Sequence, residues 1–92
     1  LYKKYQQETF FIVTNHGEQI YQAISKATNH GATILDGEGP YEHTERQVVY
    51  SVVSSAESKK VRKAVKEADP NAFINVVKTE RLFGHFYYKP ND

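Results

Sequence analysis

The sequence predicts an α+β fold, the ferredoxin-like βαββαβ arrangement, in which a four-stranded antiparallel sheet carries two helices on one face. Three observations in the 92-residue chain lead there. Four short apolar, β-favouring runs alternate with two segments of helical spacing; their order is strand, helix, strand, strand, helix, strand; and turn or capping residues stand at the junctions.

Residues 1–8, "LYKKYQQE", are polar with no clear period and read as a linker or lead-in, leaving 9–90 as a single domain. Thr9 to Thr14, "TFFIVT", is a buried strand bounded by "NHG". Ile20, Ala23, Ile24 and Ala27 then recur at helical spacing, and Gly31 suits the left-handed position that follows a helix. Ala32 to Asp36 is the second strand and Arg46 to Ser54, "RQVVYSVVS", the third and most apolar, hence central. Val48, Tyr50 and Val52 fall on one side of it and Val49 and Val53 on the other, which implies that both faces are covered.

Ser54 and Glu57 have capping-box spacing before a helix whose apolar stripe is Val61, Ala64, Val65 and Ala68. The basic run Lys59, Lys60, Arg62, Lys63, Lys66 occupies the polar positions of that helix and reads as a solvated face. Asp69-Pro70 stops the helix, and Ala72 to Lys78 is the fourth strand, with Phe73 filling the core. The aromatic segment "TERLFGHFYYKP" leaves open an extra C-terminal strand or a wrap around a neighbouring subunit. Gly84 there reads as a bulge, and Phe83, Phe86, Tyr87 and Tyr88 as interface.

Composition narrows the function. A formal charge of +1 gives no global attraction to nucleic acid, and the single tyrosine of strand three does not make the stacking platform of an RNA-binding sheet. The absence of cysteine removes disulfides, thiolate metal sites and a cysteine nucleophile. His16, His30, His43 and His85 have no metal-ligand spacing and sit near turns where surface histidine is common, so no metal and no cofactor is expected. No nucleophile elbow or phosphate-loop motif is present, and the chain reads as a binding module, not an enzyme. No apolar stretch approaches the roughly 20 residues of a membrane span, so the chain is expected to be soluble. It begins at Leu1 and lacks methionine, which suggests a piece of a longer or processed protein.

The candidate site is the connection between strands two and three. The nine residues from Gly37 to Glu45 exceed the roughly two that a tight hairpin needs, and long loops on rigid scaffolds are often functional. Gly37, Gly39, Tyr41 and Arg46 are the candidate ligand-binding residues: glycines admit close backbone approach, an aromatic ring stacks on a base, and arginine grips phosphate. Asp36, Glu38, Glu42 and Glu45 oppose phosphate unless a divalent cation intervenes. Two alternatives stay open: a plain turn in which the glycines satisfy backbone angles and Arg46 pairs with Glu38 or Glu42, and a protein-contact loop.

Several short pieces, in fixed order, carry a family resemblance: Gly31-Ala32-Thr33, Gly37-x-Gly39-x-Tyr41 with Arg46, Asp69-Pro70-x-Ala72-Phe73, and Gly84-x-Phe86. With them the chain resembles, from Phe11 to Phe86, the C-terminal domain of YitT-type bacterial membrane proteins, a domain of unknown function. The resemblance implies a PII-like ferredoxin fold behind membrane helices, on the cytoplasmic side of the cell membrane, acting as a sensor or binding module. The two-sided apolar strand three and the aromatic tail predict a homo-oligomer, trimer or dimer, and the loop residues predict a nucleotide or other small anionic ligand, which the likeness to PII proteins would place at a subunit cleft. The other expectation is a ligand-free oligomerisation module.

Overall fold

The computed structural model of the chain describes residues 6–38 and 45–84. Strand β1 (Gln7–Thr14) is followed by helix α1 (Gly17–Ala27), strands β2 (Thr33–Glu38) and β3 (Glu45–Ser54), a 3-10 turn at Ser55–Glu57, helix α2 (Ser58–Ala68) and strand β4 (Phe73–Thr79). The four strands form one antiparallel sheet in the order β2-β3-β1-β4. This is the ferredoxin-like arrangement, with β3 and β1 central. Among the described residues no helix is long and apolar enough to cross a membrane.

Period-two alternation decides which side chains meet the helices. Phe10 and Ile12 of β1 and Val49 and Val53 of β3 are fully buried, against Ile20 and Ile24 of α1 and Val61 and Val65 of α2. Each such side chain contributes about 1.5–3 kcal/mol by leaving water. The same alternation turns Phe11, Tyr50 and Leu35 to the other face, where they remain partly exposed.

The helices start and stop for identifiable reasons. Glu18 in the first turn of α1 and Lys26 in the last complement the helix dipole. Its C-terminal end is closed by Thr28, whose N–H and hydroxyl both donate to the Ile24 carbonyl, at 2.9 and 3.0 Å. Helix α2 ends because Asp69, held before Pro70, adopts extended angles (φ −149°, ψ 95°). Its basic run lies on exposed positions, as a solvated face should.

Several expectations are corrected. Strand β1 begins at Gln7, two residues into the expected lead-in, and the β2–β3 ladder continues to the Glu38–Glu45 pair. The connection therefore shrinks to 39–44, which lies outside the described residues. Ladder hydrogen bonds use the backbone alone, so polar side chains do not end a strand.

Phe73 does not fill the core: it is 67% exposed, because Ile74 and Val76 take the helix-facing positions of β4. Gly31 is not left-handed; among the described glycines only Gly84 has a positive φ, 115°. Of the Ser54–Glu57 capping box one half forms, the Ser54 backbone N–H donating to the Glu57 carboxylate, while the Ser54 hydroxyl donates to Glu57 Oε1 at 3.0 Å instead of accepting from a backbone amide, and a 3-10 turn precedes α2. His30, expected at the surface, is buried. Among the described residues no strand follows Thr79, Phe83 is 86% exposed, and Phe86, Tyr87 and Tyr88 lie outside them.

Candidate functional site

The base of the β2–β3 hairpin brings two of the four candidate residues together. Gly37 and Arg46 are cross-strand partners, next to the Asp36–Gln47 and Glu38–Glu45 pairs. Gly39 and Tyr41 lie outside the described residues. Gly37 has ordinary extended angles, and a Cβ added to it would meet its nearest neighbour, the Arg46 carbonyl oxygen, at 3.6 Å. The backbone therefore does not demand glycine at this position, and the plain-turn account does not explain Gly37.

The turn between β1 and α1 passes beside this hairpin base and divides it into two clefts. One, about 430 Å³, is lined by Asn15, Asp36, Gly37 and Gln47. The other, about 260 Å³, is lined by Arg46 with Thr14, Asn15, His16, Asp69 and Asn71 among others. Asn15 borders both, so Gly37 and Arg46 adjoin across the ladder yet open onto different sides of one residue. The Arg46 cleft sets a guanidinium and the Asp69 carboxylate in one lining, and the Gly37 cleft mixes the donors and acceptors of Asn15, Asp36 and Gln47.

Two residues absent from the sequence-level candidates hold this region in place. Gln47 accepts the Gly17 N–H through Oε1 at 2.7 Å, capping α1, and reaches Asp36 Oδ1 through Nε2 at 3.4 Å. A Cβ at Gly17 would come within 2.6 Å of Gln47 Oε1, so the missing side chain is what admits this cap. Asp69 anchors the other cleft: the Thr14 hydroxyl donates to its Oδ2 at 2.5 Å and the Asn71 N–H to its Oδ1 at 3.0 Å. The Thr14 bond holds the Asp69 carboxyl below its ordinary range; burial works against it, and the Asn71 amide, His16 and Lys66 assist. One signal was legible for Gln47: it is a polar residue at a helix-facing position of an apolar strand, which requires a polar partner.

His30 and Glu57 form a second polar feature, with no spacing signature because they are 27 positions apart. His30 Nε2 and Glu57 Oε1 share a hydrogen bond of 2.8 Å, both side chains buried. Burial pushes the Glu57 carboxyl upward, but the Ser54 hydroxyl, His30 and the Ser54 backbone outweigh it and leave the carboxyl below its ordinary range. The pair ties the segment after α1 to the start of α2. Among the described residues no group of three or more His, Asp or Glu side chains gathers as for a metal ion.

Comparison with known proteins places these features in a family. Residues 30–84 match the model of "Uncharacterized protein conserved in bacteria (DUF2179)". The chain is 30% identical over 86 residues to the UPF0750 membrane protein YitT of Bacillus subtilis, an alignment covering 94% of this chain and 31% of that protein. It is 32% identical over 78 residues to an uncharacterized Bacillus sp. (strain PS3) protein encoded in the cccA 5' region, covering 85% of this chain and 52% of that one. The chain thus spans between about a third and half the length of these relatives.

Among solved structures, a DUF2179 protein from Eubacterium ventriosum superposes with a TM-score of 0.64 at 33% identity, covering 78% of this chain and 99% of that one. The Arabidopsis thaliana PII protein bound to citrate gives a TM-score of 0.62 at 21% identity, covering 80% and 77%, a likeness of fold alone.

Proposed function

The chain belongs to the DUF2179 family, and from that premise we propose that it is a cytosolic ligand-sensing, regulatory domain of a multipass membrane protein. In this reading residues 9–90 act as one domain on the cytoplasmic side of the cell membrane. They assemble as a dimer or trimer and take a nucleotide-type or other small anionic molecule at a subunit cleft. Its role is binding, not catalysis. The match of nearly the whole chain to under a third of a membrane protein supports the domain assignment. The observation that carries the ligand assignment is the Gly37–Arg46 pair at the hairpin base, flanked by two clefts, with a glycine that backbone geometry does not require.

The test is thermal unfolding with a panel of adenine and guanine nucleotides, cyclic dinucleotides included, with and without magnesium. A ligand at 100 times its dissociation constant adds about 2.7 kcal/mol. Each kcal/mol moves the midpoint of a domain this size by roughly 4–8 °C. Arg46→Ala is expected to abolish most of that shift while leaving the unliganded midpoint nearly unchanged. If no nucleotide moves the midpoint and Arg46→Ala destabilises the free chain, Arg46 serves the hairpin. The second reading then stands: a ligand-free oligomerisation or protein-contact module, favoured by the apolar residues on the sheet face away from the helices, exposed among the described residues.

A further inference from the structure

The helices cover one face of the sheet, and among the described residues nothing covers the other. Alternation brings Phe11, Tyr50, Leu35, Phe73 and Val77 to that open face from all four strands. Their exposures run from 37% at Phe11 and Tyr50 to 67% at Phe73, large for apolar side chains of a sheet. The Phe11 and Tyr50 rings pair at its centre, 5.5 Å apart and tilted by 52°. We propose that this open face, centred on Phe11 and Tyr50, is the surface through which copies of this chain associate, sheet against sheet. The inference rests on the self-association in the functional reading and assigns it to a surface.

Charge decides the occupant. Arg46, at one end of β3, is the only charged residue among the described positions of the open face, although 25% of the chain is charged. The polar groups on it are neutral, and two of them, the Thr9 and Thr79 hydroxyls, satisfy each other at 2.6 Å. A second copy meets such a face without like-charge repulsion, whereas an acidic or basic partner finds almost nothing to pair with. An anionic lipid surface is disfavoured for the same reason, because juxtamembrane attraction needs clustered Lys or Arg, and here those lie on exposed positions of α2.

Area sets the strength. Strands about 4.8 Å apart and roughly seven residues long give a face of about 450 Å² in projection. That whole face, its polar positions included, falls below the roughly 800 Å² per partner of a standard interface, so association is weak and concentration-dependent. Docking leaves Arg46 and Gly37 at the rim of the contact, where a bound ligand would touch both copies.

Light scattering and sedimentation of the chain, from micromolar to hundreds of micromolar, test the proposal. The wild-type mass is expected to rise with concentration. Tyr50→Lys, at the centre, and Leu35→Lys, on the edge strand, each put a charge of the same sign on both copies within the contact and are expected to weaken association at least about tenfold. Both keep their far-UV circular dichroism; if Tyr50→Lys fails to fold, Leu35→Lys alone decides. A wild-type chain that stays monomeric throughout overturns the proposal, and so does a second solution state in which the aromatic tail covers the face. Association that both Lys variants leave unchanged overturns the surface assignment while self-association stands. Association intact with no nucleotide shift removes the ligand reading alone.

Discussion

The two faces of one sheet differ in what their apolar residues accomplish. On the covered face, Phe10, Ile12, Val49 and Val53 are wholly removed from water by the helices. On the open face, their immediate neighbours Phe11 and Tyr50 are of the same chemical kind and remain partly exposed. The covered face therefore accounts for folding within one chain. The open face, among the described residues, keeps apolar side chains in contact with water and contributes less to a single chain's stability.

The sharpest way to break this comparison is truncation of adjacent residues. Phe10→Ala is expected to cost about 3–5 kcal/mol, as the loss of a fully buried ring in a small core does. Phe11→Ala, one residue on, is expected to cost on the order of 1 kcal/mol in dilute monomer, since its ring already contacts water. Urea unfolding at low micromolar concentration reads both; equal costs would mean that the open face is covered within the chain.

The polar groups follow the same division. His30→Ala leaves the Glu57 carboxylate buried without its 2.8 Å imidazole partner and is expected to cost about 1–3 kcal/mol. His16→Ala, at an exposed position, is expected to stay within about 0.5 kcal/mol. Urea midpoints compare the two, and a small loss at His30 would show that the pair does not hold α2 to the segment after α1.

Acid acts on one face only. The Glu57 and Asp69 carboxyls are both depressed in the folded chain, so each contributes stability above its unfolded pKa that is lost as pH falls through the folded one. Stability is expected to be level from pH 7 down to about 5 and to fall below about pH 4, where unfolded carboxyls take up protons first. Asp69→Asn should flatten that fall, as followed by denaturation at stepped pH. The open face, whose one charge among the described residues is a guanidinium, should associate equally well across the range in which the chain stays folded.

The same contrast explains how much was legible in the sequence. The helices and the central strands were, because Ile20, Ile24, Val61 and Val65 recur at helical spacing and "TFFIVT" and "VVYSVV" are dense with β-formers. Strand ends were not: Gln7, Glu38 and Glu45 join the ladder through backbone groups that carry no side-chain signal. Phe73 misled because an aromatic after a helix stop reads as core, while its alternation with Ile74 and Val76 turns it outward. At the candidate site, Gly37 and Arg46 were singled out from the hairpin's composition, and the ladder makes them cross-strand partners. Gln47 and Asp69, which shape the clefts, hydrogen-bond to partners 11 to 55 positions away that no local pattern points to, and only the polar side chain of Gln47 at a helix-facing strand position was a sign.

Two glycines, one for each side of the comparison, differ in what an added methyl group meets. At Gly17 a new methyl group would come 2.6 Å from Gln47 Oε1, so the carboxamide must turn away and the first amide of α1 loses its acceptor. Gly17→Ala is expected to cost about 1 kcal/mol, the usual value of a lost helix cap, reduced by alanine's better helix propensity. At Gly37 the same methyl group meets only the Arg46 carbonyl oxygen at 3.6 Å, and the extended backbone accepts any residue. Gly37→Ala is therefore expected to be neutral, or to stabilise by up to about 1 kcal/mol through the restricted unfolded chain. Paired with the nucleotide panel, this variant separates fold from site. If the glycine is there to admit a ligand, Gly37→Ala loses the ligand-induced shift while its unliganded midpoint holds or rises. If the shift survives, the ligand enters from the Arg46 side of Asn15, and Gly37 has no part in admitting it.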